Sequence, residues 1–146
     1  MAFNYSNNNL ENNTLKQIIK KKNMSNAYIF YGPEDVGKKD EALKFISQII
    51  NENNLDNQVI KKLRENNYPD FLFIEPTYLI KANLINQSEI DKDIKQKQKP
   101  LIRINQIRSI NTFLSRVSIE ADKKFIVIND ADFLNEASSN CLLKTL

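Results

Sequence analysis

Residues 27–31, "AYIFY", form a continuous apolar and aromatic run between Asn26 and Gly32. A run of that length bounded by Asn and Gly reads as a buried strand. Beyond it, Ala42, Leu43, Phe45, Ile46, Ile49 and Ile50 recur with the period of one helix face. Between strand and helix lies Gly32-Pro33-Glu34-Asp35-Val36-Gly37-Lys38. This spacing fits a phosphate-binding loop, G-x-x-x-x-G-K-[ST]. Glycines let the backbone wrap an anion, and the exposed N–H groups of the helix start add positive potential. Strand, loop and helix in that order imply a crossover to a parallel strand, hence an α/β layered fold.

The final position departs from the pattern. It calls for a hydroxyl that holds magnesium, and the residue is Lys39. An ammonium cannot ligate a cation. Lys38 keeps the reach to β and γ phosphates, so the loop is read as a degenerate phosphate site of Gly32, Gly37, Lys38 and Lys39. A site that hydrolyses nucleotide also needs an acid at the end of a neighbouring strand. The apolar run "FIVI", 125–128, is a third buried strand, and its first polar position is Asn129, with Asp130 and Asp132 following. An amide gives a hard cation no charge. Asp130 could compensate by a shift of one residue, and helix capping could explain Asp130 or Asp132 equally well. Both protein groups expected to hold magnesium are altered, so magnesium-dependent hydrolysis is expected to be lost, while no cofactor is assigned with certainty and ATP binding without hydrolysis stays open.

The rest of the chain fits this frame. Phe71–Ile74 reads as a short buried strand between Pro69 and Pro76. Ile104, Ile107, Ile110 and Leu114 mark an amphipathic helix, as do Leu15, Ile18 and Ile19 earlier. One or two helical turns are expected around 59–63. The Asn-rich start, 1–13, reads as a flexible arm, and 86–100 as a charged surface loop. A last helix over 134–146 carries no C-cap signal. The chain is therefore expected to be a partial domain, 14–146, with further strands beyond residue 146.

Composition removes several classes. The 146 residues hold no His and one Cys, Cys141. Zinc sites built on Cys or His, an intrachain disulfide, and His-based acid–base or triad chemistry are excluded. With Cys141 alone, a reduced, cytoplasmic setting is expected, and no apolar run reaches the roughly 20 residues of a membrane helix. The net charge of +3 does not diagnose nucleic-acid binding, and the basic runs at 20–22 and 95–99 read as solvated.

Three stretches together resemble a family. "SNAYIFYGPEDVGKKDEALKF" is similar to the opening of bacterial clamp-loader AAA+ subunits, and "YPDFLFIEPT" to their Pro-Asp strand. "IRINQIRSINTFLSRVSIEADKKFIVINDADFLNEASSNCLLKTL" resembles their segment from the Gln-Ile-Arg helix through the second magnesium-binding strand. "NDADFLNEASSN" follows the delta-prime style rather than that of the ATPase-active gamma/tau type. The resemblance spans roughly residues 14–146. It implies a P-loop (AAA+ RecA-like) parallel sheet with flanking helices, truncated here before its last strands. It also implies a stator that packs against gamma/tau and delta in a complex placing the sliding clamp on primed DNA. Arg103 and Arg108, on or near the Gln-Ile-Arg helix, become candidates for DNA or subunit contact. Many relatives carry a four-cysteine zinc module where this chain has "INENNLDNQVIKKLRENN", so zinc is not expected. The insert at 86–100 is longer than in the family. The sensor 1 strand and a Ser-Arg-Cys segment are expected beyond residue 146. Two other readings stand beside this one. An active gamma/tau-like ATPase would use Asp130; a free-standing DNA-binding module would need a basic–aromatic pattern that is lacking.

Overall fold

A computed structural model describes residues 1–4, 8–21, 24–52, 54–90 and 98–146. Asn7 of the Asn-rich start, Lys22 of the first basic run, and 91–97 of the charged segment lie outside the described residues. The chain forms two compact units, Met1–Phe71 with Ile119–Phe125, and Leu72–Ser118 with Ile126–Leu146.

In the first unit, strand β1 (Ala2–Asn4) pairs in parallel with β2 (Ile29–Tyr31), Phe3 opposite Phe30. The expected arm over 1–13 is thus regular structure in part: β1 occupies its start, and helix α1 (Asn8–Lys20) begins inside it. Backbone bonding explains the strand. Ile29 N–H donates to Met1 O at 2.7 Å, and the Met1 ammonium donates to Ala27 O at 2.9 Å. The strand expected over 27–31 is shorter and less buried than its composition implies. Ile29 is 62% and Tyr31 49% exposed, while Phe30 turns inward. Phe30 packs against the α1 and α2 side chains, and its strand neighbours Ile29 and Tyr31 point the opposite way, as the two-residue period of a strand requires.

Helix α2 (Lys38–Ile50) supplies the inner layer. Leu15, Ile19 and Phe45 form its core with α1, and Ile18, Tyr28, Phe30, Val36 and Ile49 pack around them. Tyr28 meets Phe45 edge-on, centroids 5.1 Å apart. Helix α3 (Asn57–Arg64) realises the turns expected near 59–63 and buries Ile60 and Leu63. Asp56 caps it: Oδ1 accepts from the N–H groups of Gln58 (2.7 Å) and Val59 (3.3 Å).

Strand β3 (Phe71–Ile74) and strand β6 (Phe125–Ile128) form a second two-stranded sheet. Phe125 N–H donates to Asp70 O and Asn129 N–H to Ile74 O, both at 2.8 Å. The donors advance along both strands together, as parallel pairing requires. The four residues of β6 are half-buried rather than fully buried.

The second unit contains a hairpin without an obvious sequence signal. Strands β4 (Thr77–Ile80) and β5 (Asn83–Asn86) pair antiparallel, Leu79 opposite Leu84. Lys81 (φ 46°) and Ala82 (φ 67°) turn the corner with positive φ at both central positions, as a two-residue primed turn demands. A short 3₁₀ turn, Gln87–Glu89, follows, and Ile90 is buried. The start of the expected surface loop is therefore ordered. Glu75 holds it, accepting from Ser88 Oγ at 2.6 Å and Ser88 N–H at 3.1 Å.

Helix α4 (Ile104–Leu114) and helix α5 (Glu136–Leu143) complete this unit. Ile74, Ile102, Ile107 and Ile110 make its core, with Leu72, Ile126, Ile128, Phe133, Leu134, Cys141 and Leu142 around them. α5 is shorter than the span 134–146. Leu134 lies before its Asn135 cap, and Leu143 and Leu146 are 70% and 67% exposed. The architecture of the described residues is α/β, with small parallel sheets and packed helices.

Candidate functional site

The glycine loop belongs to the first unit. β2 ends at Tyr31, and α2 begins at Lys38 with Gly37 at its N-cap. Gly37 has φ 81°, a left-handed conformation that L side chains resist, although a Cβ there would meet nothing within 4 Å. The requirement for glycine is conformational rather than steric. Asp35 also takes positive φ, 59°, as a short polar residue can. Val36 anchors the loop in the core beside Phe45.

Lys38 is half-buried, and its ammonium donates to Gly32 O at 3.0 Å and to Pro33 O. The neighbouring acids are engaged elsewhere. Asp40 accepts from Arg64 Nη2 at 2.9 Å and Nε at 3.2 Å, and Glu41 pairs with Lys44. Both acids sit in the first turn of α2, where negative charge complements the helix dipole. Lys39 is exposed; its side chain offers no magnesium ligand.

Asn129 and Asp130 belong to the second unit, at the end of β6. Asp130 is left-handed, φ 50° and ψ 55°. Its Oδ2 accepts from Asn129 Nδ2 at 3.0 Å and Gln87 Nε2 at 3.4 Å. Its carboxylate thus has two amide donors, one of them delivered by the hairpin insert. Neither Asp130 nor Asp132 caps α5. Asn135 does, its Oδ1 accepting Ser138 N–H at 2.9 Å. Among the described residues, no three His, Cys, Asp or Glu side chains gather where they could hold a metal ion.

Arg103 and Arg108 differ in setting. Arg103 is the N-cap of α4, and its backbone N–H donates to Gln106 Oε1 at 2.8 Å, while Gln106 Nε2 donates to Glu75 O at 2.9 Å. An arginine side chain has no acceptor, so Gln106 alone does the capping. Arg103 Nε is buried without a hydrogen-bond partner. Arg108 is exposed. Five helix positions separate the two, roughly 140° around the axis, so they do not share a face.

A carboxylate that motif reading passes over accepts four hydrogen-bond contacts from three backbone N–H groups. Asp70 is 1% exposed, just ahead of β3. Both its oxygens accept Ile119 N–H at 2.9 Å, and Oδ2 accepts Glu120 N–H at 2.6 Å and Ala121 N–H at 2.8 Å. Burial raises its pKa, but the N–H groups of Ala121, Glu120 and Ile119 and the charge of Lys124 outweigh burial and hold it below the ordinary value. The available signal was an acid inside the apolar stretch "YPDFLFI": such an acid must find donors if the stretch is buried.

Among the described residues, no helix is long and apolar enough to cross a membrane. A family model described as DNA polymerase III, delta subunit, matches residues 7–146. The chain is also similar to DNA polymerase III subunit delta′ of Pseudomonas aeruginosa, 23% identical over 128 residues. That alignment covers 84% of this chain and 33% of the relative, so the chain spans about a third of the length of the curated relative it matches. No solved structure matches.

Proposed function

The chain belongs to the DNA polymerase III delta subunit family, and on that premise we propose that it serves as a delta-prime-type subunit of a clamp loader in DNA replication. In this role it packs against gamma/tau and delta subunits, and the complex places the sliding clamp on primed DNA. The family match over residues 7–146 carries this reading. Its fold is then the P-loop AAA+ type, with the strand–loop–helix from Ile29 to Ile50 as the nucleotide-facing unit.

The nucleotide site is degenerate. Lys39 stands where a magnesium-binding hydroxyl is needed, and Asn129 where a carboxylate is needed. Gly32, Gly37 and Lys38 retain the parts that cradle a phosphate, so any ATP held there is a structural ligand and is not hydrolysed. Asp130 is the one acid that could stand in, and its acceptance of the Asn129 and Gln87 amides supports a structural role for it. That weighs against a gamma/tau-like ATPase. Arg108, exposed on α4, is the better of the two arginines for DNA or subunit contact, because Arg103 has part of its guanidinium buried.

Two measurements test this. The full-length chain, mixed with the other clamp-loader subunits, is expected to co-purify in a complex that loads clamp onto primed DNA. With magnesium and ATP, the chain alone is expected to show no turnover above background. Turnover that disappears in Asp130→Ala would overturn the non-hydrolysing reading, and failure to enter the complex would overturn the clamp-loader role.

A further inference from the structure

We propose that the cleft between α1 and α2 is a docking pocket for a peptide segment of another protein, one that presents a single large apolar side chain beside an acidic residue. The cleft lies wholly within the first unit, and its volume is about 180 Å³. A cavity of roughly 150 Å³ lined by aliphatic and aromatic side chains takes up benzene. This one therefore admits one ring or one branched aliphatic group, and it is below the roughly 300 Å³ at which pockets for drug-sized ligands begin. Leu15, Phe45 and Leu55 give it an apolar lining. Leu55 is 56% exposed, yet the chain beside it is fixed: the buried Ser47 Oγ accepts Asp56 N–H and donates to Asp56 O, both at 3.3 Å.

Two polar features select the occupant. Gln48 lines the cleft and is only 9% exposed, and its side-chain amide has no hydrogen-bond partner among the described residues. An amide offers both donors and an acceptor, and a peptide unit answers the two together. The second feature is charge. Glu41, Lys44 and Lys16 also line the cleft. Glu41 pairs with Lys44, whereas Lys16 is exposed and has no ion-pair partner among the described residues. The lining thus keeps one uncompensated positive charge, which an acidic side chain on the occupant complements. One apolar anchor seated in a pocket, with polar contacts around it, is how a short segment gains both affinity and register. The pocket requires neither nucleotide nor entry into the clamp loader, so its test stands apart from the tests of those readings.

The experiment titrates the peptide acetyl-Asp-Phe-Asp-amide into the full-length chain, followed by NMR. The Leu15 and Leu55 methyl signals and the Gln48 side-chain amide are expected to shift, with a Kd on the order of 1 mM, as one small anchor allows. Acetyl-Asp-Ala-Asp-amide, which lacks the ring, is expected to bind at least about tenfold more weakly. Leu55→Ala and Lys16→Glu, both at exposed side chains, are each expected to weaken binding of the first peptide roughly three- to tenfold. Absence of these shifts up to about 10 mM peptide would overturn the pocket. So would equal affinity for the two peptides, or affinity unchanged in both variants. Should a variant not fold, the comparison of the two peptides on the unsubstituted chain decides the matter.

Discussion

Asp70 Oδ2 accepts the backbone N–H of Glu120 at 2.6 Å, across fifty positions of the chain. The same carboxylate also takes the N–H groups of Ile119 and Ala121. One buried side chain thereby fixes the backbone of residues 119–121, ahead of the start of β6 at Phe125. Asp70→Ala strands three N–H donors at a site that is 1% exposed. It is expected to destabilise the chain by about 3 kcal/mol, measured from urea unfolding midpoints.

The same residue makes stability depend on pH. Its carboxyl titrates lower in the folded state than in the unfolded chain. Its contribution is therefore complete above the unfolded pKa of about 3.9 and is lost as pH falls from there through the lowered folded value. Between about pH 5 and pH 2, wild type is expected to lose stability more steeply than Asp70→Asn. Parallel slopes for the two proteins would show that the clip contributes nothing.

Gly37 gives a prediction that separates strain from clash. Its φ is 81°, yet a Cβ there has open space. Gly37→Ala is expected to cost about 1–2 kcal/mol through left-handed strain alone. Gly37→Asn, a residue more tolerant of that conformation, is expected to cost less. Thermal unfolding of the two variants ranks them, and the reverse order would mean that packing decides.

At the helix start of the second unit, Asn135→Ala removes the acceptor for Ser138 N–H. A loss of about 1 kcal/mol is expected, with Asn135→Ser close to wild type. Within the core, Ile107→Ala is expected to cost about 2–5 kcal/mol, because Ile107 is 0% exposed. Val117→Ala, at a side chain 87% exposed, is expected to stay within about 0.5 kcal/mol. Denaturant titration of both variants checks the contrast.

The reading of Lys39 can be tested by restoring what is missing. Lys39→Thr returns a hydroxyl at the position after Lys38, at the start of α2. On the proposal of a degenerate site, calorimetric titration of ATP is expected to tighten with magnesium by about tenfold, or 1.4 kcal/mol, in Lys39→Thr and not in the unsubstituted chain. Magnesium-dependent tightening already present in the unsubstituted chain would contradict that proposal.

Elements with strong local signals were legible in the chain before any coordinates. Phe71–Ile74 and Phe125–Ile128 are the strands expected from their apolar runs. α2 and α4 follow their 3.6-residue periods. The hairpin over Thr77–Asn86 was not legible, because its turn is Lys81-Ala82 rather than the Asn-Gly or Asp-Gly that marks such turns. The strand at Ala2–Asn4 was hidden by its polar, Asn-rich surroundings; its backbone pairing with β2 defines it. Among the site residues, the glycine spacing and the Lys39 and Asn129 departures could be read directly. The partners of Lys38 and Asp130 could not.

The sequence alone determined which chemistry this chain can offer. It has no histidine, one cysteine, and a lysine rather than a hydroxyl residue at position 39, and these are properties of residue type. Only the tertiary structure decided what the retained groups do. Lys38 turns to Gly32 and Pro33, Asp130 receives Gln87, and Asp70 receives a segment fifty positions away. Residue type sets what a side chain can donate or accept, whereas its partner is set by where folding brings distant backbone, which no local pattern encodes.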